Sequence, residues 1–240
     1  MTDSAAVIGA GPGLGAALAR RFAREGLAAA PARRSAGSLD PLIADIEGAG
    51  GRAKGYGLDA TDPAAVDAFV EAVEADLGPL RVLVFNAAAI ARGPVAETDP
   101  AVARQMWETI AFAGFLSGRA AARRMSARGR GTIIFTGATA SVKASAGFGA
   151  FAAAKHALRA FAQSLAKEVG PAGVHVAHTI IDGLIDSPRT RELASGQLDA
   201  AGEDGALAPD AIAEAYWRLH AQPRSAWTFE LDLRPYKERW

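Results

Sequence analysis

The chain contains no cysteine, which excludes disulfides and thiolate metal sites. Its four histidines, His156, His175, His178 and His220, form no His-x-x-x-His pair and none is flanked by carboxylates, so no metal centre is expected. No charge of either sign is in excess: Lys plus Arg and Asp plus Glu both number 26. A chain built to hold nucleic acid or an anionic membrane would carry a basic surplus, so neither is an expected partner. No stretch approaches the ~18 uninterrupted apolar residues of a membrane span. The opening "MTDSAAVIGAG" runs straight into a strand pattern, with neither a basic region nor a cleavable apolar segment, and the expectation is a cytoplasmic protein.

What the chain does have is alternation. Half of its 240 residues are hydrophobic, enough for a large core, and the length fits one α/β domain over residues 1–240. Short apolar runs ("SAAVIGA", "LAAAPARR", "AKGYGLDA", "LRVLVFNAA", "GTIIFTGA", "GVHVAHTII", "WTFELDL") alternate with amphipathic segments. The second run is weakened by Ala and Pro31. Asp62 and Pro63 read as the cap and first residue of one helix, and Ser38 as the cap of another. A long helix is expected over roughly 100–128, another over 149–169 and a third near 208–220. Strands joined by helices of this length give right-handed crossovers, and hence a doubly wound parallel sheet of about seven strands with helices on both faces. The least regular segment, 183–208, follows the sixth strand. Ligands of such sheets bind outside the carboxyl ends of the strands, which makes 183–208 a candidate substrate lid.

The first crossover carries the strongest chemical signal. "VIGAGPGLGAALA" puts Gly9, Gly11, Gly13 and Gly15 between a strand and a helix. Glycines let the backbone approach a pyrophosphate, and the helix N-terminus supplies free N–H donors and positive potential. The end of the second strand selects the nucleotide. An acidic residue there would take a ribose 2′-hydroxyl, but this chain has Ala32 followed by Arg33 and Arg34, which suit a 2′-phosphate. NADP(H) is therefore the expected cofactor and NAD(H) the less favoured one.

With these residues the chain resembles the short-chain dehydrogenase/reductase family over nearly its whole length. Gly9-xxx-Gly13-Leu14-Gly15 is similar to that family's cofactor turn. "LDATD" at 58–62 resembles its adenine-side motif, with Asp59 and Ala60 toward the adenine. "FNAAA" at 85–89 resembles its Asn-Asn-Ala-Gly segment, matching at Asn86 and Ala87 and departing at Phe85 and Ala88. Phe151-xxx-Lys155 stands where the family has Tyr-xxx-Lys. "DGLIDS" at 182–187 stands for its Pro-Gly-x-x-x-Thr, placing Gly183, Ile185 and Ser187 along the nicotinamide loop with Asp182 in place of Pro. The resemblance implies a Rossmann-like domain, a nicotinamide cofactor, and a homodimer or homotetramer.

It also implies a catalytic tetrad of Asn, Ser, Tyr and Lys, and here the chain departs most. The serine position falls on Ala138, the asparagine position on Ala111 and the tyrosine position on Phe151; only Lys155 is retained, as the expected catalytic residue and ribose ligand. Proton donation is worth ~10²–10⁴ in rate, so ordinary alcohol–carbonyl chemistry should be impaired. Thr139, Ser141, Lys143, His156, Asp182 and Asp186 lie near these positions, but each also has an ordinary reading as a capping, solvated or packing group. Ala138, Phe148, Phe151 and Leu184 should line an apolar substrate pocket. Three functions follow: an NADP(H)-dependent oxidoreductase of divergent mechanism on an apolar small molecule, an NADP(H)-binding pseudoenzyme or sensor acting through a partner, and, least supported, a cofactor-free lyase or dehalogenase.

Overall fold

In the computed structural model, residues 2–238 are described. The chain alternates β1 (Ser4–Ile8), α1 (Leu14–Arg24), β2 (Ala28–Arg33), α2 (Asp40–Gly48), β3 (Tyr56–Gly57), α3 (Pro63–Leu77), β4 (Leu80–Phe85), α4 (Pro100–Met106), α5 (Ala113–Arg128), β5 (Gly131–Thr136), α6 (Gly149–Val169), β6 (Val174–Ile181), α7 (Pro188–Ala201), α8 (Pro209–His220) and β7 (Glu230–Leu233). One seven-stranded sheet runs β3-β2-β1-β4-β5-β6-β7, and every neighbouring pair is parallel. The expected doubly wound architecture is therefore the observed one.

Two apolar layers sandwich the sheet. Phe69, Val73, Ile110, Leu116, Leu158 and Phe135 belong to one, and Leu18, Phe22, Ile46, Val84, Tyr216 and Leu219 to the other. The central strands β1, β5 and β6 are buried throughout and β4 at all but Arg81, which is why their sequences are dominated by apolar residues. Where large residues approach, glycine replaces them. A Cβ at Gly118 would lie 2.8 Å from Phe135 and 2.9 Å from Phe161, so α5 can sit close over β5.

Several sequence expectations need correcting. The third strand is two residues long rather than spanning "AKGYGLDA". In β2 the backbone groups of Ala29 and Arg33 bond toward this edge (Ala29 N to the Arg52 carbonyl, Lys54 N to the Ala29 carbonyl, Leu58 N to the Arg33 carbonyl). Pro31 lies midway between them and has no N–H to donate, so the ladder breaks there. Ser38 is no helix cap. Residues 36–39 form a 3₁₀ turn in which the Ser38 hydroxyl donates to the Ser35 carbonyl at 2.6 Å. Asp62, by contrast, caps α3 through Ala64 N and Ala65 N with Pro63 behind it. The segment 100–128 is one continuous helical path, but a π-helical turn at Trp107–Phe112 joins α4 to α5, and Ala111 lies in that turn.

The 183–208 segment is mostly helix. Ser187 caps α7, accepting from Thr190 N at 3.2 Å, and Pro188 opens it. None of its residues is buried and it bends at Ala194, so it lacked the apolar period of a packed helix. Of the C-terminal aromatics, two have places within the subunit. Trp227 stacks on His175 at 4.9 Å and Phe229 packs against the core, while Tyr236 is exposed; Trp240 lies outside the described residues.

Burial of histidine gives the fold an acid-side weakness. Removal from water pushes His178 down to about 4, against a partial opposing pull from Glu230, and His220 likewise to about 4. Between about 4 and the ordinary 6.5 the unfolded chain binds more protons than the folded one. Stability is thus complete above 6.5 and falls as pH drops through that window, by about 1.4 kcal/mol per pH unit for each group. The melting temperature should decline steadily from pH 7 to pH 4.5 by circular dichroism; a flat profile would contradict this.

Candidate functional site

A cavity of about 730 Å³ opens along the carboxyl ends of the strands, where the sheet reverses its winding order between β1 and β4. The β1–α1 turn forms one end. Gly9 sits at φ +90, and a Cβ there would lie 2.5 Å from Ala87 N, so only glycine lets the β1 and β4 turns touch. The side-chain amide of Asn86 donates to the Gly9 carbonyl at 3.0 Å and locks the two together. A Cβ at Gly15 would meet the Gly9 carbonyl oxygen at 2.4 Å, whereas Gly11 faces open space. Gly13 precedes α1 with no side chain capping the helix. The result is a helix N-terminus with no side-chain cap behind a glycine-rich turn, the kind of arrangement that accepts phosphate groups.

Arg33 lies in the cavity wall at the end of β2. Arg34 is exposed beside it, outside the wall. Asp59 is exposed too and is engaged locally, accepting from the Thr61 hydroxyl at 2.7 Å and from Thr61 N at 3.0 Å. These bonds, with Arg34 adding, hold its carboxyl below the usual range. Asp59, Ala60, Ala87 and Arg34 are not among the residues that line the cavity. Gly9, Gly13, Leu14, Gly15, Arg33, Asn86, Lys155, Gly183, Ile185 and Ser187 do line it, as do the four pocket residues Ala138, Phe148, Phe151 and Leu184. Among the described residues no Asp or Glu is in the wall.

Lys155 stands at the other end, on α6. It is buried, and its ammonium donates to the Thr136 carbonyl at 2.8 Å. Burial alone lowers it to about 8. One turn earlier on the same helix face, the Phe151 ring lies 5.9 Å from Nζ. Several hydroxyls and acids near these positions have partners of their own, although Thr139 also lines the cavity. Thr139 donates to Asp182 at 2.5 Å, and Asp182 also pairs with Arg234 at 3.1 Å. Ser141 is buried with its oxygen accepting from Ala138 N. Asp186 pairs with Arg191 and is not in the cavity wall. His156 is exposed, bonded to the Ala152 carbonyl on its own helix. Lys143 lines the cavity and is exposed.

Sequence reasoning missed Arg189 and Thr190, which line the cavity from the first turn of α7. The Ser187–Pro188 pair, a cap followed by a helix-opening proline, was the available signal. It also missed Arg92, whose guanidinium lies 5.5 Å from the Phe148 ring centre; nothing local in the sequence announces that contact. Among the described residues no cluster of His, Asp or Glu could hold a metal ion, and no helix is long and apolar enough to cross a membrane.

A doubly wound sheet with a glycine turn, a bare helix N-terminus and a cavity at the switch in strand order defines a Rossmann-like dinucleotide-binding protein. The chain belongs to the short-chain dehydrogenase family, whose model matches residues 3–198. It is 34% identical over 236 residues to the short-chain reductase protein NovJ of Streptomyces niveus, covering 96% of this chain and 87% of that one. Among solved structures it is similar to a short-chain dehydrogenase from Rhodopseudomonas palustris, at 46% identity and a TM-score of 0.84, with 98% and 99% of the two chains covered. It is also similar to a metagenomic short-chain oxidoreductase in complex with NADP, at 29% identity and a TM-score of 0.83 over 97% of each chain.

Proposed function

We propose that this protein is an NADP(H)-dependent oxidoreductase that moves a hydride to or from an apolar small molecule without the family's Ser/Tyr proton-donor pair. The observation that carries this reading is a single cavity with a phosphate cradle and Arg33 at one end and Lys155, Phe151 and Ala138 at the other. The residues present fit the cofactor. Gly9 and Gly15 keep the turn free of side chains, the N-terminus of α1 offers uncapped donors, and the acid-free wall suits three phosphate groups. The NADP bound by the metagenomic relative supports the same choice. When bound, NADPH would supply the hydride. Arg33, with Arg34 at the rim, would take the 2′-phosphate, Asp59 and Ala60 would flank the adenine, and Lys155 would hold the nicotinamide ribose. Gly183, Ile185 and Ser187 would border the nicotinamide.

At the reacting end Ala138, Phe148, Phe151 and Leu184 present carbon rather than hydroxyl groups. This favours a hydrophobic or aromatic substrate, and one whose acceptor is already electrophilic, such as an iminium or a polarised alkene. Any proton then comes from water or from Lys155. The same loss of hydroxyls at Phe151 and Ala138 favours a second reading, an NADP(H)-binding sensor that acts through a partner.

The experiment is fluorescence titration with NADPH and NADH. NADPH should bind more tightly, and Arg33→Asp should selectively weaken it, because a repulsive charge replaces an attractive one. Equal affinities in the native protein, or an Arg33→Asp variant that still prefers NADPH, would remove the cofactor assignment.

A homodimer or homotetramer belongs to the same proposal. The Ala-rich α6 permits close helix contacts, and Trp107, half exposed, and Phe115, 42% exposed, stand on the neighbouring helical path. Sedimentation should show a dimer or tetramer at micromolar concentration; a monomer alone would contradict it.

A further inference from the structure

We propose that Lys155 is a carbonyl-reactive amine, and that the cofactor-free protein captures an apolar aldehyde in this cavity as a covalent imine on Nζ. This activity goes beyond hydride transfer and does not depend on it. It uses the amine that the hydride reading assigns to the ribose, so it belongs to the protein before cofactor binds.

The surroundings of Lys155 are those of an amine nucleophile. A lysine becomes nucleophilic at neutral pH when its charged form is stripped of water and given no counter-ion. Lys155 is 3% exposed and donates to the neutral carbonyl of Thr136. Among the described residues no carboxylate lines the cavity. Two acids of neighbouring elements are committed: Asp182 to Thr139 and Arg234, and Glu230 to Arg159 one turn further along α6. His178 on β6, buried and held by Glu230 at 3.2 Å, is neutral above about 4 and contributes no negative charge. Where a phenol would compete for the amine, Phe151 offers only a ring.

The condensation balances without any co-reactant. The neutral amine forms a C–N bond to the aldehyde carbon while the carbonyl oxygen gains a proton, and the carbinolamine then loses water to give C=N. The uncharged imine suits the walls of Ala138, Phe148 and Phe151 better than the ammonium does. If the imine protonates, its N–H can keep the bond to the Thr136 carbonyl. The aldehyde's apolar body would rest on those same aromatic walls.

The other four lysines make an internal control. Lys54, Lys143, Lys167 and Lys237 are all exposed, Lys54 is paired with Asp76, and Lys237 donates to the Glu203 carbonyl. The test treats the full-length protein, free of cofactor, with 6-methoxy-2-naphthaldehyde and cyanoborohydride, then maps the reduced adduct by peptide mass. Adduct should form on Lys155 at least ~10-fold faster than on any other lysine, as expected for a desolvated amine against solvated ones. The labelling rate should rise with pH to a midpoint near 8. Lys155→Arg should abolish the fast adduct; if that variant does not fold, the native peptide map alone decides. Labelling spread over the exposed lysines, or fastest at Lys143 at the cavity mouth, would overturn the proposal.

Discussion

Phe151→Tyr combined with Ala138→Ser should raise NADPH-dependent reduction of a small activated ketone by at least ~10-fold, the low end for a restored acid. The frame for this gain is present. Phe151 and Lys155 share one face of α6, and the ring is 5.9 Å from Nζ, so a phenol at the same site would lie beside an amine already lowered to about 8. An adjacent cation favours the phenolate and brings the donor closer to working pH. Ala138 faces the same cavity, and its backbone is fixed by Ser141 through both Ala138 N and the Ala138 carbonyl, so a serine there starts from a defined position. Each change adds one oxygen to a cavity of about 730 Å³. Phe151→Tyr alone should do less, because the substrate oxygen would lack its second donor. The check is initial rates on a ketone panel, with cofactor affinity and melting temperature shown to be unchanged. A double variant that binds NADPH normally and gains nothing would mean that these two side chains are not aimed at the reacting atom.

The second large effect is expected at the other end of the cavity. Gly9→Ala should lower the melting temperature by several degrees and abolish the thermal upshift that NADPH gives the native protein. At φ +90 a side chain is strained, at roughly 1–3 kcal/mol, and the added Cβ would stand 2.5 Å from Ala87 N and 2.8 Å from Asn86 C. Those atoms are backbone and cannot rotate aside. The turn must open, and with it the Asn86–Gly9 bond and the cradle before α1. Gly11→Ala is the control, since nothing lies within 4 Å of a Cβ there; it should leave stability nearly unchanged and act only through the ligand. Equal melting temperatures for Gly9→Ala and the native chain would contradict the account of the turn.

The sheet was legible because a parallel strand covered on both faces is mostly apolar, and runs such as "LRVLVF" or "VHVAHTII", rich in Val, Ile, Leu and Phe, have few other uses. The glycine turn was legible for the same kind of reason, since a backbone-to-backbone approach leaves glycine alone. What escaped depends on contacts between distant segments. The brevity of β3 follows from Pro31 on its neighbour. Helix α7 buries no residue and so carries no apolar period, although Ser187 and Pro188 marked its start. Within the site, Phe151, Ala138 and Lys155 were picked out by their resemblance to the family's motifs, and all three line the cavity. That Thr139, Ser141 and Asp182 are unfit as substitutes could not, because their partners lie 43 residues away in one case and on the backbone in another.

The most direct test of the central claim follows NADPH consumption by the native protein with an aromatic ketone and with its preformed iminium, at equal concentration and pH. The account predicts turnover of the iminium at rates well above the ketone, because hydride transfer to an iminium needs no proton donor and neither Phe151 nor Ala138 carries a hydroxyl. A ketone reduced as fast as the iminium would contradict it by revealing a proton donor, and saturable NADPH binding with neither compound reduced would contradict it by removing the hydride transfer altogether.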